Sequence, residues 1–437
     1  MLKKKILLSH LAVYLKSNKG FFNALSLGTL SSFLSQGFNF VTIILITRAL
    51  GETAMGHFAM TQSIVIMLIT FGILGQNISS SALTGKFRRR YPNHLGQLIG
   101  NSYLLTTLMT LLVILAYVCL SGKLFPIALI TQEGSFFLKV VILIWFTGMT
   151  FDMLQASTLI GLESFRYLVK TDLLKGLFSI LVILPLALFL GLTGAFAGYA
   201  VSSLIGVLLN QWFIRKELAK HNARIEFSFN PVLVLRILKI GLPVFVAALF
   251  ISPTIWLTNR LVFDAENGPS VLGIIFVCRQ LLVLLQFVPV QISRVALPLI
   301  TNSKGAPEEH TIKRLSLLTS LLACILLASA GILLEDNILA AYGLDPEVSL
   351  MPYRITIVTL FFSATNMIIG QFAIAGRSPW NRAYADMIIA LVTVAVTLAM
   401  VKTNLILALP VAMLISLIIS NVFLIFSTKS EIPSFIR

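Results

Sequence analysis

Apolar residues run for about twenty positions at a stretch along most of this chain, interrupted by short polar or basic segments. At 1.5 Å rise per residue, such a run matches a hydrocarbon layer roughly 30 Å thick. The pattern predicts twelve spans: 21–47, 56–80, 95–120, 136–160, 172–190, 193–214, 238–262, 269–300, 315–334, 350–374, 384–401 and 404–426. The division of 172–214 rests on the Gly191-Leu-Thr-Gly194 turn. Twelve spans fall into six plus six. The expected fold is all-α and integral to the membrane, with an N-terminal lobe over 1–214, a basic connector over 215–237 and a C-terminal lobe over 238–437.

A repeat supports that division. Gly161-Leu-Glu-Ser-Phe-Arg166 returns as Gly376-Arg-Ser-Pro-Trp-Asn-Arg382, and Gln76-Asn-Ile-Ser-Ser-Ser-Ala82 as Gln291-Ile-Ser-Arg-Val-Ala296. Asp172 has its counterpart in Asp386 and Arg48 in Arg260, all at offsets of about 215 residues. Membrane proteins built from two repeats usually bind their cargo at the repeat interface and rock one half against the other. The duplication therefore points to transport before any single residue is considered.

Composition agrees: 57% of residues are apolar, 11% are charged, and the mean hydropathy is +0.94. A soluble domain is nearer a quarter charged. The net charge of +16 is a matter of topology, not of nucleic acid, because 25 of the 33 Lys and Arg lie in alternate connections. That set includes Lys86, Arg88, Arg89 and Arg90, then Arg166, Lys170 and Lys175, and later Lys313 and Arg314. Positive loops stay cytoplasmic, so both termini are expected on the cytoplasmic side of the membrane, in contact with anionic lipid. The first twenty residues read as a basic interfacial lead-in to span 1. Cys119, Cys278 and Cys324 lie within spans and read as apolar fillers, with no disulfide expected.

Enzymatic chemistry lacks parts. The five histidines are scattered over tails and span ends, so no metal site is expected. No phosphate-cradling Gly-x-x-x-x-Gly-Lys segment occurs, and no loop is long enough for a catalytic domain. A non-hydrolytic transporter needing no cofactor remains, driven by an H+ or Na+ gradient or by the membrane potential.

Polar residues within the spans are the candidate site. Arg279 lies about ten residues into span 8, roughly 15 Å deep. An arginine there costs about 2.5–3.5 kcal/mol on insertion scales, so it should meet a wet cavity or a partner. Its functional reading is attraction of an anion or a place in a charge relay; the rival is a structural tie to neighbouring carbonyls. Asp152 is read as the only acid deep inside a span, with three options: a proton site, a counter-charge to Arg279 or another cation, or packing with Thr150 and Ser157. Ser32, Gln36 and Asn39 share one face of span 1. Gln76 and Asn77 on span 2, and Gln286, Gln291 and Arg294 on span 8, add polar groups that a sugar-lined path would use. Each amide could equally join helices. Arg48 and Arg260 end spans 1 and 7 at the rim, where they can snorkel. Pro243 and Pro253 in span 7 and Pro289 and Pro298 in span 8 predict bends beside a cavity.

Thr47-Arg-Ala-Leu-Gly51, Gly56-His-Phe-Ala-Met-Thr-Gln-Ser-Ile64 and Gly161-Leu-Glu-Ser-Phe-Arg166 resemble polysaccharide exporters. The chain is similar to Wzx-type O-antigen and repeat-unit flippases of the multidrug/oligosaccharidyl-lipid/polysaccharide superfamily. The resemblance implies a V-shaped bundle around a central cationic cavity. It also implies an undecaprenyl-diphosphate-linked oligosaccharide moved from the inner to the outer leaflet, with polymerase and chain-length proteins of the same pathway as partners. Related lipid II flippases carry cavity arginines on spans 1, 2 and 8, whereas here only span 8 has one at depth, Arg279. Alternatives are a lipid II flippase or a drug/cation antiporter of the superfamily.

Overall fold

A computed structural model describes residues 19–120, 136–220, 222–302, 308–376 and 379–428. The lead-in over 1–18 lies outside the described residues. Among the described residues all regular structure is helical, and ten helices are long and apolar enough to cross a membrane. Two of them are double. Lys19–Ile73 turns at Gly51 (φ 80°, ψ 173°) and Phe165–Lys220 at Gly191 (φ 60°, ψ −140°), backbone conformations that a Cβ would strain. Divided there, the helices give twelve spans. The chain is a multi-pass membrane protein with two six-span lobes.

The second span of each lobe is broken at corresponding places. Span 2 stops at Ile73, passes through left-handed Leu74 and Gly75, and resumes as Gln76–Arg90. Span 8 divides into Gly268–Leu285 and Phe287–Asn302. Pro289 accounts for the second break, since it has no N–H to offer the Leu285 carbonyl. Span 7, Pro231–Phe263, stays helical through both Pro243 and Pro253.

Two charge assignments need correction. Span 5 starts at Phe165 rather than 172, so Lys175 lies ten residues inside a helix and not in a connection. Lys313 is buried within the span 9 helix Glu308–Leu333, bonded to Glu309 at 2.7 Å with its ammonium 5.9 Å from the Phe372 ring. Counting cations by loop conceals both, because a long flexible side chain can belong to a helix end or to its interior.

A shared core joins the lobes. Phe58 of span 2 stacks on Phe196 (5.8 Å) and meets Trp145 (5.8 Å) and, edge-on, Phe276 of span 8 (5.7 Å). Leu115, Leu181, Phe189, Leu208 and Leu326 are exposed on the outside, as expected of a surface bathed in acyl chains. At the Arg48 end the lobes meet reciprocally. A Cβ on Gly56 would lie 1.7 Å from the Pro269 carbonyl oxygen, and one on Gly273 would lie 1.9 Å from that of Glu52. Gly56 and Gly273 correspond in the repeat, as do Glu52 and Pro269, so one contact is made twice about a pseudo-twofold axis. Ser270 also donates to the Glu52 carboxylate.

The connector is tied to the N-terminal lobe. The Glu226 N–H donates to the Gly96 carbonyl (3.2 Å), and Asn101 donates to the Ser228 carbonyl while accepting from the Asn230 N–H (both 2.8 Å). Asn230 then caps span 7 by accepting from the Val232 N–H at 3.0 Å.

Candidate functional site

Each lobe holds one cavity beside the predicted polar residues, and they differ in kind. The N-terminal cavity, about 320 Å³, is lined by spans 1, 2, 4, 5 and 6, including Gln36, Asn39, Gln62, Asp152, Asp172 and Lys175. Its centre is an ion cluster. The Lys175 ammonium donates to Asp152 Oδ2 at 2.7 Å and stands 4.0 Å from Asp172 Oδ1. Asn210 donates to Asp152 Oδ1 at 2.9 Å, and Ser31 donates to Asp172. Four spans, 1, 4, 5 and 6, thus converge on two carboxylates and one ammonium, which leaves one formal negative charge.

Of the options for Asp152, the cation it meets is Lys175. Arg279 lines the other cavity and does not reach it. Two further acids are also well inside helices, Asp172 and Asp386, which corrects the reading of Asp152 as the sole deep acid. Lys175 and Asp172 are the functional candidates that sequence reasoning missed. Their spacing of three places both on one helix face, and the Asp172–Asp386 repeat match was the signal that marked the position.

Arg279 lines a C-terminal cavity of about 140 Å³ between spans 7, 8, 10, 11 and 12. Thr254, Thr258, Thr356, Thr359 and Thr393 surround it with apolar side chains. Each of these hydroxyls donates to the carbonyl four residues earlier in its own helix. Their oxygens can accept but their protons are committed, so Arg279 supplies the donors. The guanidinium has no hydrogen-bond or ion-pair partner among the described residues. The structural alternative, a tie to neighbouring carbonyls, is therefore absent there.

The amides divide between cavity and packing. Gln36 and Asn39 line the N-terminal cavity, and the Gln36 side-chain oxygen is buried without a partner. Asn39 links the lobes by donating to Gln280 (3.5 Å) while accepting from Tyr199 (3.4 Å). Gln76 is fully buried and donates to Thr106 at 2.8 Å, which packs it against span 3, while its side-chain oxygen, like that of Gln36, has no partner among the described residues. Asn77 is half-buried beside the span 2 break and lines neither cavity. Gln286, at the span 8 break, donates to Ser363 at 2.7 Å and so braces that break against span 10. The Arg294 side chain lies outside the described residues. At the rim, Arg48 donates to the Ala340 carbonyl of the short helix Glu335–Tyr342 at 3.3 Å, and Arg260 pairs with Asp264 at 3.2 Å over the Trp256 ring. Among the described residues no group of three or more His, Cys, Asp or Glu is placed to hold a metal ion.

Residues 23–304 match the family model described as polysaccharide biosynthesis protein. The chain belongs to this family. Its fold is that of solved transporters of the MOP superfamily. An inward-facing multidrug resistance MATE family transporter superposes with a TM-score of 0.74 at 12% identity, covering 91% of this chain and 95% of its own. The outward-facing form of such a transporter gives 0.67 at 11% identity, covering 93% and 96%. A MOP superfamily transporter from Pyrococcus furiosus, described by the reverse polarity of its binding pocket, gives 0.67 at 12% identity over 93% and 96%. No curated protein matches the chain significantly.

Proposed function

We propose that this family member is a secondary transporter that carries a lipid-linked oligosaccharide from the inner to the outer leaflet by alternating access of its lobes. The observation that carries the reading is Arg279, a deep guanidinium with no protein partner among the described residues, in a cavity whose hydroxyl protons are already committed. An unpaired cation at such depth is costly unless an anion meets it. A cavity of about 140 Å³ has room for only about five waters, which is phosphate-sized and too small for a sugar chain. The glycan would instead lie against Gln36, Asn39 and Gln62 in the larger N-terminal cavity. An undecaprenyl diphosphate fits the division as carrier.

Coupling falls to the Asp152–Lys175–Asp172 cluster. Its surplus negative charge in a low-dielectric site is best balanced by a proton or Na+, so cation entry and release alter how spans 4, 5 and 6 hold together. The basic connections face the cytoplasm of a bacterial inner membrane. A cysteine at position 265, but not one at 220, should then react with an impermeant reagent added outside intact cells, and the reverse pattern overturns the orientation.

The transport test is glycan-lipid translocation in proteoliposomes under an imposed pH or Na+ gradient. Arg279→Ala should abolish translocation and Arg279→Lys should retain part of it, because charge is kept while the fork is lost. Asp152→Asn should remove the gradient dependence. Unchanged translocation by Arg279→Ala rejects the anion role.

A second reading has its own support. Asp152 and Asp172 share their cavity with Trp145 and Tyr199, acids and aromatic faces that an organic cation could use. Gradient-driven efflux of a fluorescent organic cation, with no glycan-lipid movement, would favour that drug antiporter.

A further inference from the structure

A third cavity lies apart from both transport cavities, at the basic end of the N-terminal lobe where span 6 passes into the connector. It encloses about 560 Å³ between Gln211, Arg215, Leu218, Asn222, Arg224 and Phe227, among others. Its polar lining is nearly all donor. The Gln211 side-chain oxygen already accepts from the Tyr103 hydroxyl (2.7 Å) and from Gln155 Nε2 (3.1 Å), which leaves its NH2 group for the cavity. Arg215 and Arg224 have no hydrogen-bond or ion-pair partner among the described residues, and no Asp or Glu lines the cavity. Two planar guanidiniums beside one cavity suit an anion with several oxygens, and a phosphate ester most of all.

The apolar surroundings identify what carries the phosphate. Phe227, which lines the cavity, is 64% exposed; Phe229 is 71% exposed, and Trp212 on the same stretch of span 6 is 57% exposed. Large aromatic side chains left bare at the ends of spans mark the membrane–water interface. The Lys216 ammonium lies 5.5 Å from the Trp212 ring, which keeps a further cation at that level. A soluble phosphate compound would leave these aromatic groups uncovered, whereas the acyl chains of a lipid would cover them.

We infer that this cavity is a binding site for the phosphate headgroup of an anionic glycerophospholipid, with Arg215 and Arg224 clasping the phosphate and Phe227 packing beside the chains. Such a lipid would bridge span 6 and the connector where the chain crosses between lobes. The site shares no residue with the Arg279 cavity, so it stands or falls independently of the proposed cargo.

The test uses the full purified chain in detergent, with lipid retention followed by native mass spectrometry and thermal unfolding followed in parallel. Phosphatidylglycerol should remain bound at about one molecule per chain and raise the melting temperature, and phosphatidylcholine should do neither. R215Q/R224Q should weaken phosphatidylglycerol binding by tenfold or more, and R215K/R224K should retain part of it. Arg166 and Lys170 are exposed at the same end but do not line the cavity, so R166Q/K170Q should bind like the unaltered protein. Equal loss in that control, or undiminished binding by R215Q/R224Q, overturns the site. Protection by millimolar inorganic phosphate matching that of the lipid overturns the lipid assignment, as does displacement by an undecaprenyl diphosphate carrier at far lower concentration.

Discussion

Spans 4, 5 and 6 and spans 10, 11 and 12 each enclose polar residues at corresponding positions, with opposite results. In the C-terminal lobe Arg382 spends its fork fully: Nε and one Nη bond Asp386 (3.2 and 2.6 Å), and the other Nη bonds the Asn366 side chain (2.7 Å). Asn366 in turn donates to Ser420 (2.9 Å), so one acid faces one base and the knot is closed. In the N-terminal lobe Asp172 stands where Asp386 does, but the position matching Asn366 is Asp152. That amide-to-acid difference adds a second carboxylate to a cluster that opens on a cavity. Its cation is Lys175 where the other lobe has Ile389, while Leu168 stands at the Arg382 position. Duplication supplies the scaffold twice. Charge balance then separates a closed brace from a cluster with an uncompensated charge, the one proposed to respond to an ion.

The harshest way to break this contrast is Lys175→Ala, which leaves Asp152 and Asp172 facing each other without a cation. Removing one member of a buried ion cluster costs about 3–5 kcal/mol, less where water reaches it, so a melting temperature lower by several degrees is expected at neutral pH. Adding Asp152→Asn should recover much of the loss. A single variant that melts normally refutes the charge accounting.

A smaller effect is expected from Arg382→Lys, which keeps the charge but cannot bond Asp386 and Asn366 together. About 1–2 kcal/mol of stability should go, while the gradient dependence proposed for translocation should be unchanged. Altered gradient dependence would make the C-terminal knot a second responsive site and erase the distinction.

The smallest effect is at the turn joining spans 4 and 5, where Glu163 pairs with Arg88 and with Arg89 (2.5 Å). Burial pushes its carboxyl up, but the two guanidiniums outweigh that and hold it below the usual carboxylate range. A depressed carboxyl stabilises the fold above its ordinary value of 4.5, and that contribution is lost as pH falls through the lower folded value. Glu163→Gln should therefore lower the melting point slightly at pH 7 and not at all near pH 2, an offset read from paired thermal melts. Glu163 and Arg89 are exposed, so a fraction of a kcal/mol is the scale.

Architecture was largely legible in the sequence. Apolar runs announce spans because hydrocarbon admits little else, and Gly191 declared the turn that divides a 56-residue helix. Arg279 was legible for the same reason, a charge where charge is expensive. Lys175 was hidden because a lysine near the start of a span can reach either water or the interior, and only packing decides which. Gln76 misled in the opposite sense: nothing in an isolated amide distinguishes a cavity wall from a bond to Thr106. The cavity at Arg215 was invisible, since it is made by an extended segment folding back on a helix.

The reciprocal contacts at Gly56 and Gly273 have a mechanical consequence. Backbone lies against backbone at two nearly adjacent points, with the Ser270–Glu52 hydrogen bond and the Phe58–Phe276 contact beside them, so a rocking of the lobes would have its fulcrum there. From Gly56 to Ile73 the helix forms an arm about 25 Å long, at 1.5 Å per residue. A turn of about 20° at that fulcrum would carry the far end of the arm through about 9 Å, roughly one helix diameter. A small local rotation there would thus be amplified into a displacement of about one helix width at the far end of the arm.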